Sequence, residues 1–200
     1  MNRYRDLAVS VKIKYKRKRA ILIDASDQLQ YIGEGRSAYV FRIKYTKKAL
    51  KVFFPPFTRL AKIEAGIYQM LKGINYFPAV YESGGNYIVM DVIEGKTLFE
   101  CLSEGIPIPE NRIAEIDNAL KMAKDRGLNP SDIHLRNIFL TSSGEIKVVD
   151  VARFTQKKKD TQWQDLKKAY YKTYVKPYFP KKIPVPVLNT IAFIYKRIKA

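Results

Sequence analysis

Three polar side chains in the second half of the chain have the types and the spacing to do chemistry. Asp132 and Asn137 stand five residues apart in Asp132-Ile133-His134-Leu135-Arg136-Asn137, ahead of the apolar run Ile138-Phe139-Leu140. Asp150 ends a second β-like run, Ile146-Lys147-Val148-Val149. A carboxylate can accept a proton, and an amide with a second carboxylate offers oxygen ligands to a hard cation. Phosphoryl transfer from a nucleotide requires that combination. One such triple is a weak signal, and its weight depends on matching phosphate-binding parts upstream.

Those parts are candidates in the first half. In Tyr31-Ile32-Gly33-Glu34-Gly35-Arg36-Ser37-Ala38-Tyr39-Val40-Phe41, two glycines flank one residue between β-type segments. Such a hairpin can bring backbone N–H groups close to phosphates, although a lone G-x-G is usually just a turn. Ala49-Leu50-Lys51-Val52-Phe53-Phe54 reads as a strand with one lysine among apolar residues, ended by Pro55-Pro56. Lys51 is either an edge residue snorkelling to water or a cation aimed into a cleft. The pattern A-x-K after a glycine hairpin favours the cleft. A helix is expected over 60–71, with Leu60, Ile63, Ile67, Met70 and Leu71 on one side. Glu64 adjoins that stripe and can point inward to Lys51. Tyr87-Ile88-Val89-Met90-Asp91-Val92-Ile93-Glu94-Gly95 is an apolar strand that turns polar and stops at glycine. It reads as a junction between lobes, with backbone groups of Asp91 and Ile93 free to face an adenine ring.

The bulk numbers set the frame. Two hundred residues suit one domain or two small lobes, and 46% hydrophobic with 12% aromatic residues supports a real core. The formal charge of +18 implies an anionic partner: a nucleotide, nucleic acid, an acidic protein or a membrane surface. The single cysteine, Cys101, excludes an intramolecular disulfide and a thiolate zinc cluster, which fits a reducing compartment. No apolar run approaches a membrane span, and Met1-Asn2-Arg3-Tyr4-Arg5-Asp6 leads into no signal-type core. The expectation is a soluble cytoplasmic protein.

The remaining segments are read more simply. Apolar and basic residues alternate from Leu7 to Lys16, which predicts a half-buried strand with a cationic outer face. Arg17-Lys18-Arg19 then turns into a second strand over Ala20-Ile21-Leu22-Ile23. A solvated edge is preferred over a nucleic-acid ribbon, because no aromatic stacking platform is interleaved with the lysines. Thr97 to Ser103 reads as a short helix in which Cys101 packs rather than reacts. Pro107 and Pro109 precede an amphipathic helix carrying Ile113, Ile116, Leu120 and Ala123, which Gly127 terminates. Past the exposed run Lys157-Lys158-Lys159, residues Trp163, Leu166, Tyr170 and Thr173 describe another helix. Pro177, Pro180, Pro184 and Pro186 mark a rigid, non-helical stretch. The last helix carries Leu188, Ile191, Tyr195 and Ile198, with Lys196, Arg197 and Lys199 in its final turn. It is expected to pack on the domain, although its cationic end could dock on a membrane.

The order of parts, from about Ile32 to Ala152, resembles the protein-kinase-like superfamily, specifically the small bacterial eukaryotic-like (Hanks-type) Ser/Thr protein kinases. Val40 stands where the family's G-x-G-x-x-G-x-V loop has its valine, with Ala38 in place of the third glycine. Glu64-Ala65-Gly66-Ile67-Tyr68 resembles the central helix. Val89-Met90-Asp91-Val92 resembles the hinge, with Met90 as gatekeeper. The resemblance implies an α+β, two-lobed fold forming a single domain. An antiparallel β N-lobe would span about 1–91, a hinge about 91–95 and a truncated, mostly helical C-lobe about 96–200, with ATP and Mg2+ between the lobes. It implies that Gly33, Gly35 and Ala38 cover the phosphates, while Ile32, Val40, Met90, Asp91 and Ile93 complete the nucleotide site. Lys51 would contact the α- and β-phosphates and pair with Glu64. Asp132 would accept the substrate's hydroxyl proton, and Asn137 and Asp150 would hold magnesium.

The departures narrow the class. H-R-D is here Pro130-Ser131-Asp132, D-F-G is Asp150-Val151-Ala152, and no A-P-E follows. About ten residues separate Asp150 from the next expected helix, too few for an activation segment. This is similar to RIO-type and other minimal kinases. His134 gives D-x-H-x-x-N, similar to aminoglycoside, choline and sugar kinases of the superfamily, or else is a buried structural histidine. The leading expectation is a protein Ser/Thr kinase whose substrate includes other proteins or itself. A small-molecule kinase is the rival enzyme, and a nucleotide-binding pseudokinase regulator is the rival of another class. A nucleic-acid or acidic partner on the basic surface could coexist with any of them.

Overall fold

The computed structural model describes residues 3–17, 19–158 and 160–199, the last of these by its backbone only. Lys18 of the basic ribbon and Lys159 of the lysine run lie outside the described residues, as do Met1, Asn2 and Ala200. The chain divides into two compact units, Met1–Ile93 and Glu94–Ala200. The architecture is α+β with antiparallel sheets, as a kinase-like two-lobed fold requires.

The first unit opens with helix α1 (Arg3–Ser10), where the alternation of residues suggested a strand. The correction has a local cause. Tyr4, Leu7, Ala8 and Val11 fall at helical spacing and pack into one core cluster, while Val9, which alternation would bury, is exposed. Only β1 (Lys12–Lys16) is a strand, paired with β2 (Arg19–Asp24), and its lysines do face outward. The main sheet has five antiparallel strands in the order β3-β4-β5-β7-β6. These are β3 (Leu29–Glu34), β4 (Ala38–Ile43), β5 (Lys48–Phe53), β6 (Val80–Ser83) and β7 (Tyr87–Asp91). A 3-10 turn at Pro55–Phe57 ends β5 and leads into helix α2 (Arg59–Met70).

Parity along β5 decides what each face of that sheet carries. Leu50 and Val52 join the cluster under α1, together with Phe41, Ile43, Tyr87 and Val89. Ala49, Lys51 and Phe53 therefore point to the opposite face. Helix α2 differs from expectation in which face it buries. Ala61, Glu64, Ala65, Tyr68 and Leu71 are inside with Ile67, whereas Ile63 and Met70 are exposed. The rotation puts Glu64 in the middle of the buried stripe instead of beside it.

The second unit is mostly helical. Strand β8 (Gly95–Thr97) leads into helix α3 (Leu98–Glu104), and helix α4 (Glu110–Asp125) follows. Thr97 and Glu100 form a reciprocal capping box at the start of α3, and Cys101 is buried within it. Helix α4 buries Ile113, Ile116, Ala119, Leu120 and Ala123 and ends at Gly127, whose φ of 77° turns the following Leu128 N–H back to the Ala123 carbonyl. Strands β9 (Ile138–Thr141) and β10 (Ile146–Val148) complete a small sheet, β10-β9-β8. Helix α5 (Gln162–Ala169) continues into a π-turn at Tyr170–Tyr174. Tyr170 Oη donates to the Ile108 carbonyl, and the Ile108 N–H donates to Tyr174 Oη, so this turn clamps the chain ahead of α4.

Helix α6 (Val185–Lys199) overturns two expectations. Pro186 is inside its first turn, where a missing N–H costs nothing, and so is not part of the non-helical stretch. Of its apolar residues Leu188 is buried, but Ile191 and Ile198 are 57% and 76% exposed. No helix among the described residues is long and apolar enough to cross a membrane.

Candidate active site

In the first unit the sheet and α2 bring together the two charged residues named from sequence. Lys51 Nζ lies 2.8 Å from Glu64 Oε1 and 2.7 Å from Oε2, with Lys51 9% exposed and Glu64 fully buried. The ammonium also sits 5.1 Å from the centroid of the Phe53 ring. A buried pair of this kind adds little net stability, because desolvating both ions offsets their attraction. A hydrophobic pair of similar volume would serve the fold as well.

The glycine hairpin joins β3 to β4. Gly35 donates its N–H to the Ala38 carbonyl at 2.9 Å, which closes the turn and leaves Arg36 and Ser37 at the tip. The register slips between Tyr31 and Gly33, a bulge at Ile32, and Ile32 is exposed. A methyl group at Gly33 or Gly35 would meet no atom within 4 Å. Neither glycine has a left-handed backbone, so neither packing nor conformation demands glycine at either position. Ala38 is buried and Val40 half-buried in β4. At the end of β7, Met90 is buried, and the Asp91 N–H is already donated to the Ala79 carbonyl. That bond corrects the expectation of free backbone at Asp91: only its carbonyl and the Ile93 peptide remain as groups for a ring. The Asp91 carboxylate accepts from the Ala79 N–H and from Tyr81 Oη.

In the second unit the β9–β10 hairpin sets the geometry. Val149 N–H donates to the Asn137 carbonyl at 2.9 Å, which brings Asn137 beside the residue that precedes Asp150. Asn137 Nδ2 donates to the Asp132 carbonyl at 3.0 Å, so its side-chain oxygen is the end left to act as a ligand. Asp132 and Asp150 both have left-handed backbones, with φ of 61° and 60°, a conformation that is uncommon for residues other than glycine. His134 is half-buried rather than buried, and its carbonyl accepts the Asn137 N–H at 2.8 Å.

Two residues that sequence reasoning did not single out hold this loop. Asp160 Oδ2 accepts the Asp132 N–H at 2.6 Å, and its Oδ1 accepts the Gln162 N–H at 2.7 Å, tying the loop to the start of α5. Arg153 Nε lies 3.4 Å from Asp132 Oδ2. The only sequence signal for either was position: an acid two residues ahead of a helix, and a cation three residues after Asp150. Asn129 adds three more bonds, since its N–H donates to the Phe154 carbonyl and its Nδ2 to the Gln156 and Lys158 carbonyls. The segment after Asp150 is thus bonded back to the loop that carries Asp132.

The donor set suits a hard, oxygen-loving cation. Among the described residues no group of three or more His, Cys, Asp or Glu could cage a metal. Magnesium is usually bound by one or two protein oxygens with substrate phosphates and waters completing the shell. Asn137 and Asp150 match that provision.

A five-stranded antiparallel sheet with a buried lysine–glutamate pair, and a helical unit with an Asp–Asn–Asp loop set, are parts of the kinase-like class of phosphotransferases. Comparison with known proteins agrees. Over 176 residues, 87% of its length, the chain is 51% identical to the "Putative serine/threonine-protein kinase YrzF" of Bacillus subtilis and covers 82% of that protein. It is 30% identical over 147 residues to the "Probable serine/threonine-protein kinase CPE1738" of Clostridium perfringens, covering 22% of it. Over 83 residues it is 36% identical to "Serine/threonine-protein kinase Nek1" of Mus musculus, covering 7% of it. No family model matches. The chain belongs to the protein-kinase-like family, with its likeness running over most of YrzF.

Proposed function

We propose that the chain is an ATP- and Mg2+-dependent serine/threonine-protein kinase, built as one kinase-like domain and acting in the cytoplasm. The observation that carries this reading is the buried, two-pronged Lys51–Glu64 ion pair, which the fold does not need for stability. Glu64 holds the Lys51 ammonium extended, and the ammonium contacts the α- and β-phosphates. The open space over Gly33 and Gly35 supports a phosphate-covering role for the hairpin. Ile32, Ala38, Val40 and Met90, with the Asp91 carbonyl and the Ile93 peptide, take the rest of the nucleotide. The acceptor hydroxyl gives its proton to Asp132 as its oxygen bonds to the γ-phosphorus. The bond from that phosphorus to the β–γ bridging oxygen breaks, and ADP departs. Magnesium, held by Asn137 Oδ1 and Asp150, would neutralise charge on the phosphates.

Arg153 and Asp160 act as positioning residues for Asp132. Because Asn129 bonds the segment after Asp150 to the loop, we place the protein with the minimal, RIO-like kinases that need no activation-loop phosphorylation. The half-buried His134 favours one second reading, a small-molecule acceptor in place of a protein hydroxyl.

The test is incubation with γ-labelled ATP and Mg2+, using bland protein substrates and the chain itself. Transfer that Asp132→Ala abolishes, with nucleotide-dependent thermal stabilisation retained, is the expected result. Transfer that survives Asp132→Ala, or the absence of any nucleotide effect on melting, overturns the proposal.

A further inference from the structure

Helix α6 carries a feature that nucleotide chemistry does not use. Along it Val187, Ile191, Ile194 and Ile198 are 47%, 57%, 50% and 76% exposed. Their spacing of four, three and four residues puts them on one narrow stripe. The helix is held to its own unit by other residues. Leu188 is buried, Asn189 Oδ1 accepts from Arg136 Nη2 at 2.9 Å, and Tyr195 Oη donates to Asp165 at 2.9 Å. The exposed stripe is therefore not what docks α6, and it is continuous over nearly the whole helix.

The charge around it is of one sign. From Leu166 to Ala200 the sequence has eight lysines and one arginine and no acidic residue. Arg197 borders the stripe, with its guanidinium stacked 4.7 Å from the centroid of the Phe193 ring, while Lys196 lies on the opposite side of the helix. A helix with an aliphatic stripe, a cation stacked on an aromatic ring at its border and further lysines on its polar side has the composition of one that lies in a lipid interface. We propose that α6 docks the protein on an anionic lipid surface, its stripe entering the acyl boundary and its cations meeting phosphate headgroups. A second copy of the chain is the less suitable occupant for two reasons. Four aliphatic side chains along about 17 Å of helix fall well short of the roughly 1,200 Å² that a stable protein–protein contact buries. A second α6 would also bring like charge against Arg197 with no acid on the helix to answer it.

The proposal does not depend on the kinase reading and is tested without nucleotide. The whole chain is sedimented with vesicles of phosphatidylcholine alone and of phosphatidylcholine with phosphatidylglycerol, at 50 mM and 500 mM salt. Binding at least tenfold tighter to the anionic vesicles, weakened by salt, is expected. Ile191→Ser/Ile194→Ser should lose it at least tenfold while circular dichroism and melting stay unchanged, since both side chains are exposed. Lys196→Gln/Arg197→Gln should reduce binding several-fold and flatten its salt dependence. No binding to either vesicle overturns the proposal, and so does anionic binding indifferent to Ile191→Ser/Ile194→Ser, which would be surface adsorption. Concentration-dependent dimers that this double variant abolishes, without vesicle binding, would make a second copy the occupant.

Discussion

Replacing Lys51 and Glu64 singly and together separates what the pair does for the fold from what it does for chemistry. With Glu64 fully buried and both carboxylate oxygens within 2.8 Å of the ammonium, Lys51→Met strands an anion and Glu64→Leu strands a cation. Breaking a buried pair from one side costs about 3–5 kcal/mol. For a chain of this length each kcal/mol moves the melting temperature by about 2–4 °C, so each single variant should melt roughly 6–20 °C lower. The double variant Lys51→Met/Glu64→Leu removes both charges and keeps apolar bulk. It should return to within about 2 kcal/mol of the parent, a coupling of at least about 4 kcal/mol.

Activity should not return with stability. If Lys51 contacts phosphate, phosphoryl transfer falls by about 10²–10³-fold in all three variants. The measurements are urea and thermal melts alongside transfer of labelled phosphate at saturating ATP. Two results would refute the reasoning. Single variants as stable as the parent would mean that the pair is not buried, and a double variant with full transfer would mean that Lys51 handles no phosphate.

Further expectations come from the contacts around the loop and the sheets. Asp160→Ala removes the acceptor of two backbone N–H bonds, each worth about 1.5–3 kcal/mol when charge-assisted. It should lower kcat with little change in the KM for ATP, and it should lower the melting temperature. Gly95→Ala would set a methyl 2.3 Å from the Leu140 carbonyl oxygen and 2.6 Å from Thr141 Cα. Because both are backbone atoms, the β8–β9 pairing must shift, costing more than about 2 kcal/mol in urea melts. Burial, reinforced by the hydrogen bonds that the two phenols donate to the Glu82 and Asp165 carboxylates, pushes Tyr87 and Tyr195 up to about 12 from an ordinary 10.0. Between those values the folded state keeps phenolic protons that the unfolded state has lost. Stability from this source is therefore full below pH 10 and declines towards pH 12. Urea midpoints from pH 9 to 12 should show that decline, and Tyr195→Phe should flatten it.

What the sequence revealed depended on whether one element's own pattern decided the outcome. Lys51 was legible because a single lysine in a strand of fixed parity must lie on one face, and a buried lysine needs a partner. Helix α2 was misread by size. The large residues Ile63 and Met70 looked like the core stripe, but close approach of a helix to a sheet favours small residues, and Ala61 and Ala65 took the inside with Glu64. The strand expected from Leu7 became α1 because an eight-residue segment has no strong local preference and the core cluster decides. Asp160 was invisible because it serves a backbone N–H 28 residues away, and no periodicity reports such a bond. In helix α6 the spacing marks one apolar set, Leu188, Ile191, Tyr195 and Ile198, and only the contacts show that Leu188 and Tyr195 pack while Ile191 and Ile198 do not.

Local rules are broken in two kinds of place, and the difference between them bears on function. Non-glycine residues with left-handed backbones are Arg17, Tyr45, Asp132 and Asp150 among the described residues. Arg17 lies in the turn from β1 to β2, and Tyr45 is fully exposed between β4 and β5. Such positions need only a hairpin tip to explain them. Asp132 and Asp150 are half-buried, and the structure holds the first in place through Asp160, Arg153 and Asn137. A fold gains nothing by ordering an aspartate so closely in a costly conformation, just as it gains nothing from burying the Lys51–Glu64 charges. Violations that a hairpin tip does not explain, gathered at the residues proposed to handle protons and metal, are what a site shaped by more than stability is expected to show.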